Sequence, residues 1–232
     1  MNIVTFDHFV FHLVNGNVGN SKLFDAAVFF LADKDVLKGI PVMMVWWGLW
    51  FYKSPKTKQN RENLLAMLAV SVIAIFAGRL LALNLPFRLR PIHDASIGTK
   101  LVEFLSPQFA DGMSSFPSDH AVLFFVFATC LFQINKVIGL IFYLHAVIII
   151  SLTRIYLGLH FPGDVLVGAL VGCIVAMALL RPIAKFIEKY NLLTFEDRFG
   201  YIFYPIIFFL TLQSATMFDS ARAFLRELAR LI

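Results

Sequence analysis

Charge is what this sequence has least of. Only 15% of its 232 residues are Asp, Glu, Lys or Arg, while 59% are hydrophobic. Soluble domains carry about 25% charged residues on average, so a soluble globular domain is excluded. Cysteine is nearly absent too. Cys130 and Cys173 both lie inside apolar runs, which suits packing thiols, argues against a disulfide framework and leaves the redox compartment open. In the polar loops His93, His120 and His160 share no compact ligand spacing, and each outer loop carries arginine; no metal and no cofactor is expected. No linker, low-complexity stretch or internal repeat divides residues 1–232, so one domain is expected. The first thirty residues, with Asp7, His8, His12 and Asp25, lack the basic start and unbroken apolar stretch of a cleavable signal. Insertion is expected to rely on the spans themselves.

What is present is grease in long runs. There are 26 phenylalanines, and mean hydropathy is +0.77. Several runs approach the roughly 20 apolar residues of a bilayer-spanning helix. They predict an all-α integral membrane bundle of about six transmembrane helices, at 36–53, 64–85, 119–135, 137–153, 162–180 and 200–218. The net charge of +5 falls in short loops between these runs, a pattern of membrane topology rather than of a nucleic-acid face. Lys53, Lys56, Lys58 and Arg61 on one loop, and Arg181, Lys185, Lys189 and Arg198 on another, should face the cytoplasm. Loops 86–118 and 154–161 then share the outer face, although the first carries Arg88, Arg90 and Lys100. Cations that break the positive-inside rule point to anion binding.

The ends are amphipathic. Residues 1–34 predict two short helices lying in the membrane interface, and 219–232 a third, with Phe224, Leu225, Leu228, Leu231 and Ile232 at helical spacing. Either end could equally pack on a partner protomer, so a homo-oligomer stays open.

Three blocks on the predicted outer face carry chemistry. In Asn84–Asp94, Pro86 and Pro91 hold the chain extended, so Arg88 and Arg90 can point at one anion. In the second, Ser114-Ser-Phe-Pro117-Ser118-Asp119-His120 runs into an apolar helix. A helix start offers backbone N–H groups to an anion, Ser118 adds a hydroxyl, and His120 in the first turn can give a proton to a leaving oxygen. The third is Thr153-Arg154-x5-His160-x3-Asp164. His160 and Asp164, four residues apart at a helix start, can approach closely enough for the carboxylate to accept the imidazole N–H. Arginine suits phosphate oxygens and histidine can attack. Together these read as a phosphate site with its own nucleophile. His145, mid-span, is expected to be a packing hydrogen bonder.

These blocks resemble the type 2 phosphatidic acid phosphatase superfamily, whose pattern is Lys-x6-Arg-Pro, Pro-Ser-Gly-His and Ser-Arg-x5-His-x3-Asp. The matching residues are Arg90-Pro91, Pro117-Ser118-Asp119-His120 and Thr153-Arg154-x5-His160-x3-Asp164. Three positions depart: Leu83 stands where the family has lysine, Asp119 replaces glycine, and Thr153 replaces serine. Arg88, or failing it Arg79, is expected to supply the missing cation. Asp119 beside a phosphate is repulsive unless paired or pointed away. Pro-Ser-Asp-His is similar to the version in bacterial undecaprenyl-diphosphate phosphatases.

The resemblance implies metal-independent hydrolysis through a phosphohistidine. His160 would attack phosphorus, Asp164 would hold its tautomer, and His120 would protonate the leaving group. Arg90, Arg154, Ser118 and the backbone N–H near Asp119 would hold the phosphate oxygens, with Arg88 an addition. The implied protein is an integral lipid phosphatase, multi-pass in the inner (plasma) membrane, with its site facing the periplasm or exterior. Its partners would be membrane lipids and a lipid phosphate or diphosphate, first of all undecaprenyl diphosphate. Phosphatidic acid or phosphatidylglycerol phosphate as substrate, phosphotransfer to a lipid-linked acceptor, and non-enzymatic binding or transport of lipid phosphates stay open.

Overall fold

Helix-start chemistry lays out the chain. The structure is a computed structural model describing residues 3–106, 108 and 113–219, and among them every regular element is helical. Two helices, α1 (Ile3–Asn15) and α2 (Lys22–Asp33), form where the amphipathic pair is predicted, the second capped by the Ser21 side chain. The helix expected over 219–232 falls, beyond its first residue, outside the described residues. Next come α3 (Ile40–Phe51) and α4 (Thr57–Asn84); Pro86 disfavours helix at Leu85 and so stops α4. α5 (Asp119–Ile134) begins at Ser118 and ends at Asn135, whose side chain then caps α6 (Lys136–His145) by accepting from the Val137 and Ile138 N–H groups at 3.0 and 3.1 Å. A π-helical segment, Ala146–Leu152, carries α6 without a break into α7 (Thr153–Tyr156). Pro162 opens α8 (Pro162–Lys189), and α9 (Thr194–Ala215) bends at Phe199.

The bundle is centred on α4, α5 and α8, with α6 against α5, and with α3 and α9 on the side of α4. Trp46, Trp50, Leu64, Met67, Leu123, Phe127 and Leu131 fill its core. Between α5 and α8 the backbones nearly touch. A Cβ at Gly172 would lie 2.3 Å from the Val122 carbonyl oxygen, and one at Gly168 would lie 2.7 Å from that of Ser118. Lipid tails are as apolar as leucine, so helices in a bilayer associate through such small-residue contacts rather than through hydrophobicity. The result is a stitch between two helix starts: the Ser118 N–H donates to the Asp164 carbonyl at 3.1 Å.

Three helical runs, Thr57–Asn84, Lys136–Tyr156 and Pro162–Lys189, are long and apolar enough to cross a membrane. Ile40–Phe51 and Asp119–Ile134 are apolar but shorter, and α9 carries Glu196, Asp197 and Arg198 near its start. Length and hydropathy thus support three of the six predicted crossings by themselves. Polar caps are the reason: Ser118 and Asn135 confine α5 to 16 residues, about 24 Å of helix against about 30 Å of hydrocarbon. Outward, Phe76, Leu80 and Leu83 on α4 and Leu170, Ile174 and Met177 on α8 are all more than half exposed. Such a continuous apolar skin needs lipid to cover it, and the protein is a multi-pass membrane protein.

The ends of the bundle differ. At one, Arg61 donates to both Glu196 oxygens at 3.2 and 3.1 Å, near Lys58 and Asn191. At the other, α4 ends while α5 and α8 begin, and all three chemical blocks meet.

Candidate active site

The three blocks surround a cavity of about 570 Å³ whose lining includes Arg79, Arg90, Asp119, His120, Arg154 and His160. Its far wall comes from the N-terminal segment, through Phe29, Ala32, Asp33, Asp35 and Lys38.

His160 is buried. Its Nδ1 lies 2.8 Å from the Ser115 carbonyl oxygen and its Nε2 3.1 Å from Arg90 Nη1. A carbonyl can only accept and a guanidinium can only donate, which assigns the proton to Nδ1 and leaves the Nε2 lone pair toward the guanidinium. Burial pushes the His160 pKa down; Asp164 pulls it up, Arg90 and Arg154 push it down further, and the net direction is down. The ring is therefore a neutral imidazole with its nucleophilic nitrogen at the cavity.

Asp164 is fully buried and its oxygens are shared out. Oδ2 accepts from the Phe161 N–H at 2.8 Å and from the Ser115 hydroxyl, and Oδ1 accepts from Arg88 Nη1 at 2.6 Å. Its distance to His160 Nδ1 is 3.8 Å, too long for a hydrogen bond. The direct imidazole–carboxylate bond expected from the four-residue spacing is replaced by a bridge. Ser115 gives its carbonyl to His160 and its hydroxyl to Asp164, because the stitch between α5 and α8 lays the 114–118 strand of chain across both.

Arg90 and Arg154 flank the imidazole. Arg90 Nη1 donates to the Leu159 carbonyl at 2.9 Å, and Arg154 Nη2 donates to the Ala32 carbonyl at 3.0 Å and stands 2.5 Å from His120 Nε2. Each keeps a buried Nε without a hydrogen-bond partner in the protein. Buried donors rarely stay unsatisfied, so these two suit the oxygens of a bound anion. Burial pushes the Arg90 pKa down while Asp119 and Asp164 pull it up, and a guanidinium stays charged throughout. Ser118 is buried at the α5 start, between the lining residues Pro117 and Asp119; its Oγ accepts weakly from the Ala121 N–H at 3.5 Å.

Two sequence expectations change here. Arg88 does not line the cavity: Nη1 is held by Asp164, Nη2 by Asp7 at 2.7 Å, and the guanidinium stacks 4.2 Å over the Phe161 ring. Two carboxylates outbid any distant anion for it. Leu83, at the family's lysine position, is 81% exposed and faces away, whereas Arg79, one turn earlier on α4, lines the cavity and pairs with Asp119. That pair also neutralises the carboxylate whose repulsion the sequence left unexplained. His145 donates from Nε2 to the Leu37 carbonyl, 2.8 Å away, between the rings of Phe124 and Phe142, a packing arrangement. Among the described residues no three His, Cys, Asp or Glu side chains converge as a metal-ligand set.

Three participants were missed in the sequence. Ser115 works through a backbone atom that no motif records. Asp7 and Lys38 belong to the N-terminal segment, far from the motifs in sequence. Asp7 alone left a signal, as a carboxylate between Phe6 and Phe9 on an apolar helix; it is 2% exposed and accepts from the Gly163 N–H at 2.6 Å.

The sequence model described as the PAP2 superfamily matches residues 63–188, more than half the chain. The bacitracin transport permease protein BcrC of Bacillus licheniformis is 27% identical over 167 residues, covering 72% of this chain and 75% of that protein. The putative undecaprenyl-diphosphatase YbjG of Escherichia coli K12 is 26% identical over 166 residues, 71% and 76% of the two chains. The lipid A 4'-phosphatase of Bacteroides thetaiotaomicron is 38% identical over 88 residues, 37% of this chain and 38% of that one. Among solved structures, LpxE of Aquifex aeolicus superposes with a TM-score of 0.51 at 27% identity, over 74% of this chain and 93% of that one.

Proposed function

The chain belongs to the PAP2 superfamily, and from that premise we propose that it hydrolyses a lipid diphosphate, first of all undecaprenyl diphosphate to undecaprenyl phosphate, through a phosphohistidine on His160. The observation that carries this reading is the neutral, Nδ1-protonated His160 whose Nε2 meets the cavity between two buried arginines. Two relatives support the substrate class: one is named a putative undecaprenyl-diphosphatase and one a lipid A phosphatase.

The chemistry follows from the geometry. The Nε2 lone pair of His160 forms a bond to the terminal phosphorus while the bond from that phosphorus to the leaving oxygen breaks. Arg90 and Arg154, with the helix-start N–H groups beside Ser118 and Asp119, hold the oxygens on which charge develops. Arg79 adds the cation that Leu83 lacks. His120, next to Arg154, gives a proton to the leaving oxygen and then takes one from the water that attacks the phosphohistidine. Asp164 acts through Ser115, keeping the carbonyl aimed at Nδ1 and stabilising the imidazolium character of the intermediate. The cation-rich 53–61 and 181–198 segments, at helix ends and the turns between them, lie opposite the site, so a cytoplasmic placement of those segments puts the site at the outer face of the plasma membrane.

The test is phosphate release from undecaprenyl diphosphate by the purified full chain in detergent, with and without a chelator. His160→Ala should abolish turnover while the protein elutes as wild type, and wild type quenched in alkaline denaturant, where a phosphohistidine survives, should carry phosphate on His160. Turnover that survives His160→Ala would sink the mechanism, and loss on chelation would sink its metal independence. Label appearing on a lipid-linked acceptor instead of in solution would identify a transferase.

A further inference from the structure

We propose that Lys38 is a specificity-determining residue, holding the second, non-reacting phosphoryl group of a diphosphate lipid on the leaving-group side of the cavity. The proposal rests on the diphosphate reading above and adds a residue from outside the region matched by the family model.

Among the described residues, four cations line the cavity: Lys38, Arg79, Arg90 and Arg154. The reacting phosphoryl group engages Arg90 and Arg154 around His160, with Arg79, paired to Asp119, as the added cation on that side. Lys38 is left over. It is only 8% exposed, and lysines are almost never that buried without strong pairing. Its ion-pair partner Asp35, at 3.1 Å, is the more exposed member, 36% against 10% by side chain. The Lys38 ammonium also lies close enough to Arg154 for the like charge to help burial lower its pKa, against the pull of Asp35. Asp33, Asp35 and Asp219 on the same lining offset these cations in the free protein. An anion lodged between Lys38 and Arg154 would meet both cations at once, in a site mostly shut off from water, where such contacts are strongest.

The position of Lys38 is fixed, which separates it from a stray surface lysine. It lies in a turn, 34–39, closed by bonds from the Leu37 N–H to the Lys34 carbonyl and from the Lys38, Gly39 and Ile40 N–H groups to the Asp35 carbonyl. His145 bonds the Leu37 carbonyl at 2.8 Å, and Arg154 itself bonds the Ala32 carbonyl at 3.0 Å. The same Arg154 touches His120. Lys38 thus belongs to the half of the cavity where the leaving group emerges. In a phosphomonoester that group is a neutral ester oxygen with no charge to bind. In a diphosphate it is a second phosphate, whose charge grows when the electron pair of the broken bond moves onto the bridging oxygen. A cation there favours diphosphate over monophosphate.

The experiment uses the full chain in detergent with two substrates sharing one prenyl chain, farnesyl diphosphate and farnesyl monophosphate. For Lys38→Met, kcat/KM on the diphosphate should fall roughly 10- to 100-fold, the worth of one charge-assisted hydrogen bond, and at least tenfold more than on the monophosphate; Lys38→Arg should recover most of it. Inorganic pyrophosphate should lose inhibitory power against Lys38→Met far more than orthophosphate does. A second measurement needs no variant: methylenediphosphonate should shield Lys38 of the wild type from an amine-labelling reagent, read by mass spectrometry, while orthophosphate should not. Equal losses on both substrates, no loss on either, or no shielding would overturn the subsite while leaving the diphosphatase reading intact. Wild-type turnover of the monophosphate with none of the diphosphate would overturn both.

Discussion

In the proposed mechanism His160 attacks only as the neutral imidazole, so its environment sets the acid side of the pH profile. Burial, with Arg90 and Arg154, moves its pKa below the ordinary 6.5 despite the pull of Asp164. The sign is therefore fixed: protonation switches the nucleophile off, and the switch lies on the acid side of 6.5. The acid limb of kcat/KM should break below pH 6.5, and a break at or above it would contradict the geometry. The Ser115 bridge leads to a second expectation. In a serine-type triad, changing the aspartate to asparagine costs about 10⁴ in kcat because the imidazole takes the wrong tautomer. Here a backbone carbonyl holds Nδ1–H, so Asp164→Asn should cost only about 10², an amount typical of one electrostatic contact. A loss of 10⁴ would mean that the carboxylate bonds the ring in the working enzyme. At this scale the sequence singled out His160, His120, Asp164, Arg90 and Arg154 as candidates, and the structure gathers them at one end of the bundle, because spacing along one chain brings them to one face. It misled on Arg88, since nothing local to Arg88 reveals Asp7, 81 residues away.

Two elements place these side chains, and each has its own test. The π-helical stretch Ala146–Leu152 directly precedes Thr153 and Arg154. A π turn holds one residue more than an α turn, and such insertions recur at functional sites. Deleting Ile149 should restore α register, turn the following residues by about 100° and carry Arg154 off the cavity. Phosphate release should drop at least about 100-fold, as for loss of one transition-state donor, with the protein still folded; activity within tenfold of wild type would show that the π stretch does not set the register. The contact between α5 and α8 is the second. At Gly172 an added side chain meets the Val122 backbone oxygen, which cannot swing aside. Gly172→Leu should lower stability by about 3 kcal/mol or more and activity with it, because the Ser118–Asp164 stitch opens; thermal unfolding in detergent reads this directly. The apolar runs that become these helices were legible from hydropathy. The π turn was not, because Val147 to Ile150 are all valine or isoleucine and carry no mark of register.

On the scale of the whole molecule, the N-terminal segment is built into the candidate site rather than appended to it. Asn15 donates to the Lys100 and Tyr156 carbonyls at 2.9 and 2.8 Å and accepts from the Lys100 N–H. Asp7 takes the Gly163 N–H and one end of Arg88, whose other end holds Asp164. Gly163 admits this approach, since a Cβ there would lie 2.8 Å from the carboxylate. Helix α1 meanwhile turns Phe9 and Leu13 outward, each more than 60% exposed, so the helix that braces Asp164 also presents an apolar face to the membrane. Asp7→Asn removes one charge from an Asp–Arg–Asp chain whose carboxylates are buried and whose Arg88 is partly exposed, without removing volume. Loss of one charge-assisted hydrogen bond costs about 1.5–3 kcal/mol, so thermal stability should fall by roughly that amount. Asp7 never meets substrate, so KM should hold while kcat falls, by about tenfold if Arg88 then pulls the Asp164 carboxylate away from Ser115. Arg88→Lys keeps a charge but cannot bridge two carboxylates in fork geometry, and should show the same split. Should either variant raise KM and leave kcat untouched, Arg88 reaches the lipid phosphate after all, and the cation displaced from Leu83 is Arg88 rather than Arg79.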